Sequence, residues 1–231
     1  MPVNRSDDLI DTTEMYLRSV LELEEEGMTP LRARIAERLG QSVPTVSQTV
    51  ARMQRDGLLT VTGDRRIQLT QHGRDVATRV MRKHRLAECL LADVLGLDWH
   101  LVHEEACRWE HVMSEAVERR LIDILGHPTQ SPYGNPIPGL AELGDDEHDD
   151  RLGGVMALTQ IPKAAGSVVV RRIGEPIQSD TDLLTRLRGA GLRPNAVMRI
   201  TRVGDRVRIG TGSQVVELDE TTAAHVFVTA A

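Results

Sequence analysis

The chain has 231 residues, of which 40% are hydrophobic and 27% charged, the make-up of an ordinary soluble protein with room for two or three small domains. Its formal charge of −6 means that any DNA footprint has to be local, and one Phe, two Tyr and two Trp offer little surface for stacking on single-stranded nucleic acid. Cys89 and Cys107 are too few for a disulfide framework, and no apolar run approaches the roughly 20 residues that span a bilayer. The expected setting is the cytoplasm with no membrane partner, where reduced thiols are available to a metal.

Along the chain, Asp11-Thr-Thr-Glu14 reads as a capping box, followed by Met15, Leu17, Val20, Leu21 and Leu23 near a helical period. Gly27 and Pro30 close this first helix. A second is expected over 31–39, stopped by Gly40. Ser42-Val-Pro44 opens a third, which runs through Val46, Val50 and Met53 to Gly57. Leu58-Leu-Thr-Val61 and Ile67-Gln-Leu-Thr70 flank Gly63-Asp64 as a β-hairpin. Helix, turn, helix, hairpin is the order of a winged helix-turn-helix. Long helices are expected over 70–95 and 100–125. Pro132, Pro136, Pro138 and Gly139 then break regular structure, and the acidic run 142–150 reads as a solvated linker. The remainder alternates short β runs (168–173, 197–203, 207–209, 215–218, 225–228) with turns, as in a small all-β barrel-like module.

The helix-turn-helix region carries the missing positive charge. Residues 30–66 hold Arg32, Arg34, Arg38, Arg52, Arg55, Arg65 and Arg66 against Glu37, Asp56 and Asp64, a local net charge of +4. The start of a recognition helix meets base edges, which here places Ser42, Pro44, Thr45, Ser47 and Gln48 in the major groove. Gln pairs bidentately with adenine, and an apolar ring suits a thymine methyl. Arg32, Arg34, Arg52 and Arg55 suit phosphates, and Arg65 and Arg66 sit at the tip of the wing. The plain alternative is a small bundle with a solvated polar face.

A second chemistry lies in His103-Glu-Glu-Ala-Cys107-Arg-Trp-Glu110-His111. On a continuous helix, His103, Glu110 and His111 fall within about 60° of Cys107, and four such side chains buried without partners would be costly. His84 and Glu88 repeat the theme at i, i+4 on the preceding helix, and facing helices commonly build metal sites in this way. Cys107-x-x-Glu110-His111 resembles an inverted zinc-protease pattern with Cys for the first His, so a metallohydrolase stays open at this point, as does a purely structural metal.

Asp11-Thr-Thr-Glu-Met-Tyr-Leu17, Thr29-Pro-Leu-Arg-Ala-Arg-Ile-Ala-Glu-Arg-Leu39, Pro44-Thr-Val-Ser-Gln-Thr-Val50, Val80-Met-Arg-Lys-His-Arg-Leu-Ala-Glu88 and Glu105-Ala-Cys-Arg-Trp-Glu-His-Val-Met-Ser114 resemble the diphtheria toxin repressor family, in particular its actinobacterial iron-dependent regulators. The resemblance is dense over 8–140 and thinner beyond. It implies a mainly α protein with a winged helix-turn-helix domain (1–75), a helical dimerisation and metal domain (76–140), an acidic linker (141–152) and an SH3-like β-barrel (153–231). It implies a homodimeric repressor of iron-uptake genes, one or two dimers per double-stranded operator, activated by Fe(II) at two sites per subunit, with Mn, Co, Ni or Zn as substitutes in vitro and a manganese-responsive regulator as the alternative. The primary site would be Met15, Cys107, Glu110 and His111. The ancillary site would be His84, Glu88 and His103, completed by Glu175 and Gln178 from Glu175-Pro-Ile-Gln178. Met15, Glu175 and Gln178 follow from the resemblance alone; taken by itself, Met15 reads as a core residue of the first helix.

The chain departs from the family pattern in about five extra residues before Asp8, in Val43 where Gly is expected, and in Cys89 where Arg is expected. Cys89 reads as structural, with a redox or ligand role beside Glu88 as the alternative. The expected mechanism is that metal ties Met15 to the helix carrying Cys107, stills the N-terminal segment and sets the two reading heads of a dimer at half-site spacing.

Overall fold

A computed structural model describes residues 5–145, 154–162, 166–211 and 214–231, with side chains from Thr12 onward. Most of the acidic run lies outside the described residues. The chain forms two compact units, one of residues 1–83 with 110–112, the other of 84–109 with 113–231.

In the first unit, α1 (Arg5–Glu25), α2 (Arg32–Arg38) and α3 (Val43–Arg55) precede a hairpin of β1 (Leu59–Val61) and β2 (Ile67–Leu69), and α4 (Gln71–Cys89) begins. Tyr16, Leu17, Val20 and Leu23 of α1 meet Ile35 of α2, Val46, Val50 and Met53 of α3, the hairpin's Leu59 and Ile67, and Ala77 and Met81 of α4. Burying such a set is the main drive for folding. The i, i+4, i+7 spacing of Val46, Val50 and Met53 turns one face of α3 inward and leaves Pro44, Thr45 and Gln48 exposed. Gly73 lets α4 start hard against the hairpin, since a Cβ there would lie 1.8 Å from the carbonyl oxygen of Leu58.

The first helix starts earlier than expected. Nothing between Arg5 and Glu26 is Pro or Gly, so α1 runs unbroken from Arg5 and Asp11 lies inside it rather than at a cap. That correction frees Glu14 for another role.

In the second unit, α4 ends in a π-helical turn, Leu90–Val94. Next come α5 (Trp99–Trp109) and α6 (Glu115–Ile124). The single helix expected over 100–125 is therefore two. Ser114 adopts extended backbone (φ −84°, ψ 156°) and starts α6, whose first turn carries Glu115 and Glu118 where the helix dipole favours acids. No Gly or Pro marks the break.

The C-terminal part contains β3 (Met156–Ala157), β4 (Ser167–Ile173), α7 (Glu175–Gln178), α8 (Thr181–Gly189), β5 (Val197–Val203), β6 (Arg206–Thr211), β7 (Gln214–Leu218), α9 (Glu220–Ala223) and β8 (Val226–Ala230). The strands form one antiparallel sheet in the order β3-β8-β4-β5-β6-β7, with an irregularity between Val170 and Arg172. All the expected strands form, but the module is not all β. Asp180 caps α8 by accepting from the Leu183 N–H, and Leu184 and Leu187 bury its inner face. Leu86, Val102, Ala106, Leu121, Tyr133 and Ile137 share a continuous core with Val168, Val170, Leu184, Met198, Ile209 and Val228. Helices and sheet of this unit are thus one packed body.

Candidate metal centre and DNA-reading element

Four ionisable side chains of the second unit converge away from water. His84 and Glu88, one turn apart on α4, meet with Nε2 2.9 Å from Oε1. His103 of α5 places its Nδ1 3.2 Å from His84 Nε2, 3.4 Å from Glu88 Oε1 and 3.4 Å from Glu175 Oε2. Glu175 opens α7, with Oε2 3.9 Å from His84 Nε2. On its other edge His103 presents Nε2 to Cys107 Sγ at 3.7 Å, as expected for residues one turn apart on α5. One donor atom each from His84, His103 and Cys107 lies within 4.8 Å of the others. His84, Glu88 and Gln178 are at most 1% exposed. The side-chain amide of Gln178 donates to the Ile173 carbonyl at 2.6 Å, while its Oε1 is buried with no hydrogen-bond partner among the described residues.

The electrostatics set an ionised Glu88 against a protonated His103. Burial alone would raise the Glu88 carboxyl, but the charge of His84 and hydrogen bonds from both histidines hold it well below the usual carboxylate range. Burial alone would lower His103. The Glu175 carboxylate, together with hydrogen bonds to Cys107 and Glu88, overcomes that and raises it to about 10. A cation taking His103 as a ligand displaces that proton. Two imidazoles and two carboxylates, with an unpartnered amide oxygen nearby in sequence, fit a divalent first-row metal. Arg85 borders the cluster, with Nη2 4.0 Å from Glu175 Oε1 and Nη1 donating to the Pro136 carbonyl.

Glu110 and His111 lie not on the α5 stripe but in the turn that follows it, within the first unit. The expected alignment with Cys107 on one helix face is corrected for both, because α5 stops at Trp109. In that turn Glu110 Oε1 and His111 Nε2 face each other at 3.3 Å. Their outer atoms are held from α1, where Glu14 Oε2 accepts from His111 Nδ1 at 2.5 Å and Arg18 Nη1 donates to Glu110 Oε2 at 2.6 Å. Met15 stands between these two on α1. It is half-buried and is not among the fully buried residues of the unit's core. Arg18 escaped the sequence reading, and Glu14 entered it only as a cap. Their signal was the stripe Glu14, Arg18, Glu22, Glu26 at four-residue spacing. Cys89 is buried; its thiol donates to the Gln130 carbonyl at 3.5 Å, and burial with the neighbouring Glu88 charge pushes its pKa up, which suits a structural role.

The α3 start is built as a capped helix. Ser42 is the N-cap, its Oγ accepting from the Thr45 N–H at 3.3 Å and lying 2.8 Å from Thr45 Oγ1. Ser47 Oγ donates back to the Val43 carbonyl at 2.9 Å. Pro44, Thr45 and Gln48 are exposed, and Val43 is 48% exposed at the first helical position. Arg34 is exposed and donates to the Thr29 carbonyl at 2.9 Å, while Arg32 and Arg52 are half-buried. At the exposed hairpin tip Arg65 takes a left-handed conformation (φ 67°) and Arg66 pairs with Asp64 at 2.7 Å.

Residues 8–67 match the iron dependent repressor N-terminal DNA binding domain, residues 70–139 the iron dependent repressor metal binding and dimerisation domain, and residues 156–230 the FeoA domain. The chain is 64% identical over 195 residues to the iron-dependent repressor IdeR of Mycobacterium tuberculosis, covering 82% of this chain and 83% of that one. It is 54% identical over 211 residues to the diphtheria toxin repressor of Corynebacterium diphtheriae, covering 91% and 93%. Among solved structures, T. acidophilum IdeR superposes with a TM-score of 0.74 at 28% identity, covering 94% of this chain and 97% of that one. A manganese-dependent transcriptional repressor in complex with manganese gives 0.78 at 26%, covering 95% and 100%. These relatives are repressors rather than enzymes, which sets the metallohydrolase reading aside. With a winged helix-turn-helix at its N-terminus, a helical metal-binding and dimerisation domain, and a C-terminal SH3-like FeoA domain, the chain belongs to the iron-dependent repressor family.

Proposed function

We propose that this chain is an iron(II)-activated, sequence-specific DNA-binding repressor of iron-uptake genes, acting in the cytoplasm as a homodimer on double-stranded operators. The observation that carries the reading is the buried convergence of His84, Glu88, His103 and Glu175 in a chain whose α3 presents a capped, exposed polar start. Buried charges are costly unless paired or ligated, and here two histidines and two carboxylates share one small space.

The proposal assigns two metal sites per subunit. His84, Glu88, His103, Glu175 and Gln178 hold the ancillary one; Met15, Cys107, Glu110 and His111 hold the primary one. A bound ferrous ion supplies positive charge and coordination positions that accept this mixture of sulfur, nitrogen and oxygen. To serve it, His103 gives up its proton, Cys107 ionises, and Glu110 and His111 offer the atoms that face each other. On the DNA side, Gln48, Thr45 and Pro44 read base edges, while Arg32, Arg34, Arg52, Arg65 and Arg66 meet phosphates. Val94, Leu95, Leu101, Val117 and Ile124 expose apolar surface in the region that matches the dimerisation domain, which supports self-association there.

Iron is preferred over manganese on two grounds. Relatives at 64% and 54% identity are named for iron or diphtheria toxin repression, against 26% for the manganese-dependent one, and the thiolate and thioether of Cys107 and Met15 are soft donors. The test is anaerobic titration of Fe(II), Mn(II), Co(II) and Zn(II) into the protein with a duplex selected from a random pool, following DNA binding and circular dichroism together. Equal activation by Mn(II) at lower concentration than Fe(II) would move the assignment to manganese. Unfolding on chelation would make the metal structural. No helix among the described residues is long and apolar enough to cross a membrane.

A further inference from the structure

Glu110 and His111 each have one side-chain atom held from α1 and one turned toward the other residue. The His111 ring is fixed by Nδ1 against Glu14 Oε2, at 2.5 Å. Its other nitrogen, Nε2, lies 3.3 Å from Glu110 Oε1. The separation of these two atoms is of the order expected for two donors sharing a metal about 2.0–2.2 Å from each. Glu110 is locked in the same manner, for its second oxygen, Oε2, takes Arg18 Nη1 at 2.6 Å. Arg18 also sits beside an acidic neighbour: its Nε is 2.8 Å from Glu22 Oε1, Glu22 Oε2 is 3.0 Å from Arg38 Nη1, and Arg38 Nη2 is 2.6 Å from Glu26 Oε2. Apart from Glu14 (22% exposed), these side chains are at most 13% exposed, so the ladder is screened only weakly by solvent. It runs through Arg38, the last residue of α2 in the helix-turn-helix, to Glu26.

We infer that Glu14 and Arg18 are positioning residues of the primary metal site, holding the outer atoms of His111 and Glu110 so that the inner atoms converge on one cation. The inference rests on the proposed metal role of Glu110 and His111. Glu14 orients the His111 ring through Nδ1; Arg18 fixes the carboxylate plane of Glu110. Partners of this kind orient ligands, and their loss typically weakens metal binding about 10–100-fold. Both sit within one turn of Met15, so the same stretch of α1 holds the ligands it would join.

The test is an anaerobic Co(II) titration of the full chain, read by the ligand-field absorption of each bound equivalent. Glu14→Ala and Arg18→Ala should each weaken one of two equivalents about 10–100-fold and change its absorption band, leaving the other equivalent untouched. Glu14→Gln and Arg18→Lys, which keep a hydrogen bond, should recover most of the loss. If both alanine variants bind both equivalents with native affinity and spectrum while His111→Ala loses one, the positioning role is overturned and the metal role of His111 stands. If His111→Ala also keeps both, the metal assignment of His111 fails and the positioning role fails with it. Should thermal melting show Arg18→Ala to be unfolded, Arg18→Lys and the Glu14 pair decide the question in the same way.

Discussion

The cluster around His103 and the start of α3 use polar side chains under opposite conditions. In the cluster, His84, Glu88, His103 and Glu175 are sealed from water and face one another. On α3, Pro44, Thr45 and Gln48 face outward, and the hydroxyls of Ser42, Thr45 and Ser47 bond within their own helix start. The first arrangement couples charge to folding; the second leaves folding almost indifferent to the groups that would read DNA. A protein whose DNA binding is controlled by a cation needs both, because the sensor has to be part of the fold while the reader stays interchangeable.

The largest effect that would sharpen this contrast is on stability. His103→Ala in metal-free protein removes the group between Glu88 and Glu175 and leaves two carboxylates buried. Urea unfolding should show a loss of about 3–5 kcal/mol, whereas Gln48→Ala should change stability by less than about 0.5 kcal/mol. Comparable small losses for both would mean that the cluster is solvated.

The next effect is on pH. His103 is raised in the folded protein to about 10, so its contribution to metal-free stability is fully present below its unfolded value of about 6.5 and is lost as pH rises through about 10. Metal requires the opposite protonation, so Co(II) affinity should climb over the same interval in which metal-free stability declines. Parallel rather than opposed pH profiles would remove His103 from the metal site.

Smaller effects belong to the reader. Gln48→Ala should cost about 1–3 kcal/mol of discrimination at one base pair of a selected duplex and leave metal affinity unchanged. Smallest is Arg52→Ala, which should weaken binding to all sequences alike and reduce the slope of log K against log salt by about one. Sequence-dependent loss at Arg52 would transfer it from phosphate to base contact.

The reader was legible because its signals are local: Gly40, the Ser42 cap, Pro44, and the apolar spacing of Val46, Val50 and Met53. His84 and Glu88 were legible as an i, i+4 pair. Glu175 was not, since it reaches the cluster only through the packing of α7 in the second unit, and no pattern around it points there; resemblance supplied it. The break after Trp109 carries no Gly or Pro, and only Ser114 ahead of Glu115 hinted at a new start. Helix α8 was legible in Asp180 with Leu183, Leu184 and Leu187 but was masked by the β-rich run around it. Contacts such as Glu14 with His111 depend on tertiary packing, which sequence spacing within α1 suggests only in outline.

Coupling of metal binding to DNA binding in one molecule is what makes this chain a switch. Its most direct test is the affinity of the full chain for a selected duplex under anaerobic conditions, with saturating Fe(II) and after chelation, with circular dichroism recorded on both samples. Binding should be at least about 100-fold tighter with Fe(II), a difference of a few kcal/mol between competent and incompetent states, with an unchanged helical spectrum. Equal affinity in the two samples, with the fold intact in both, would contradict it.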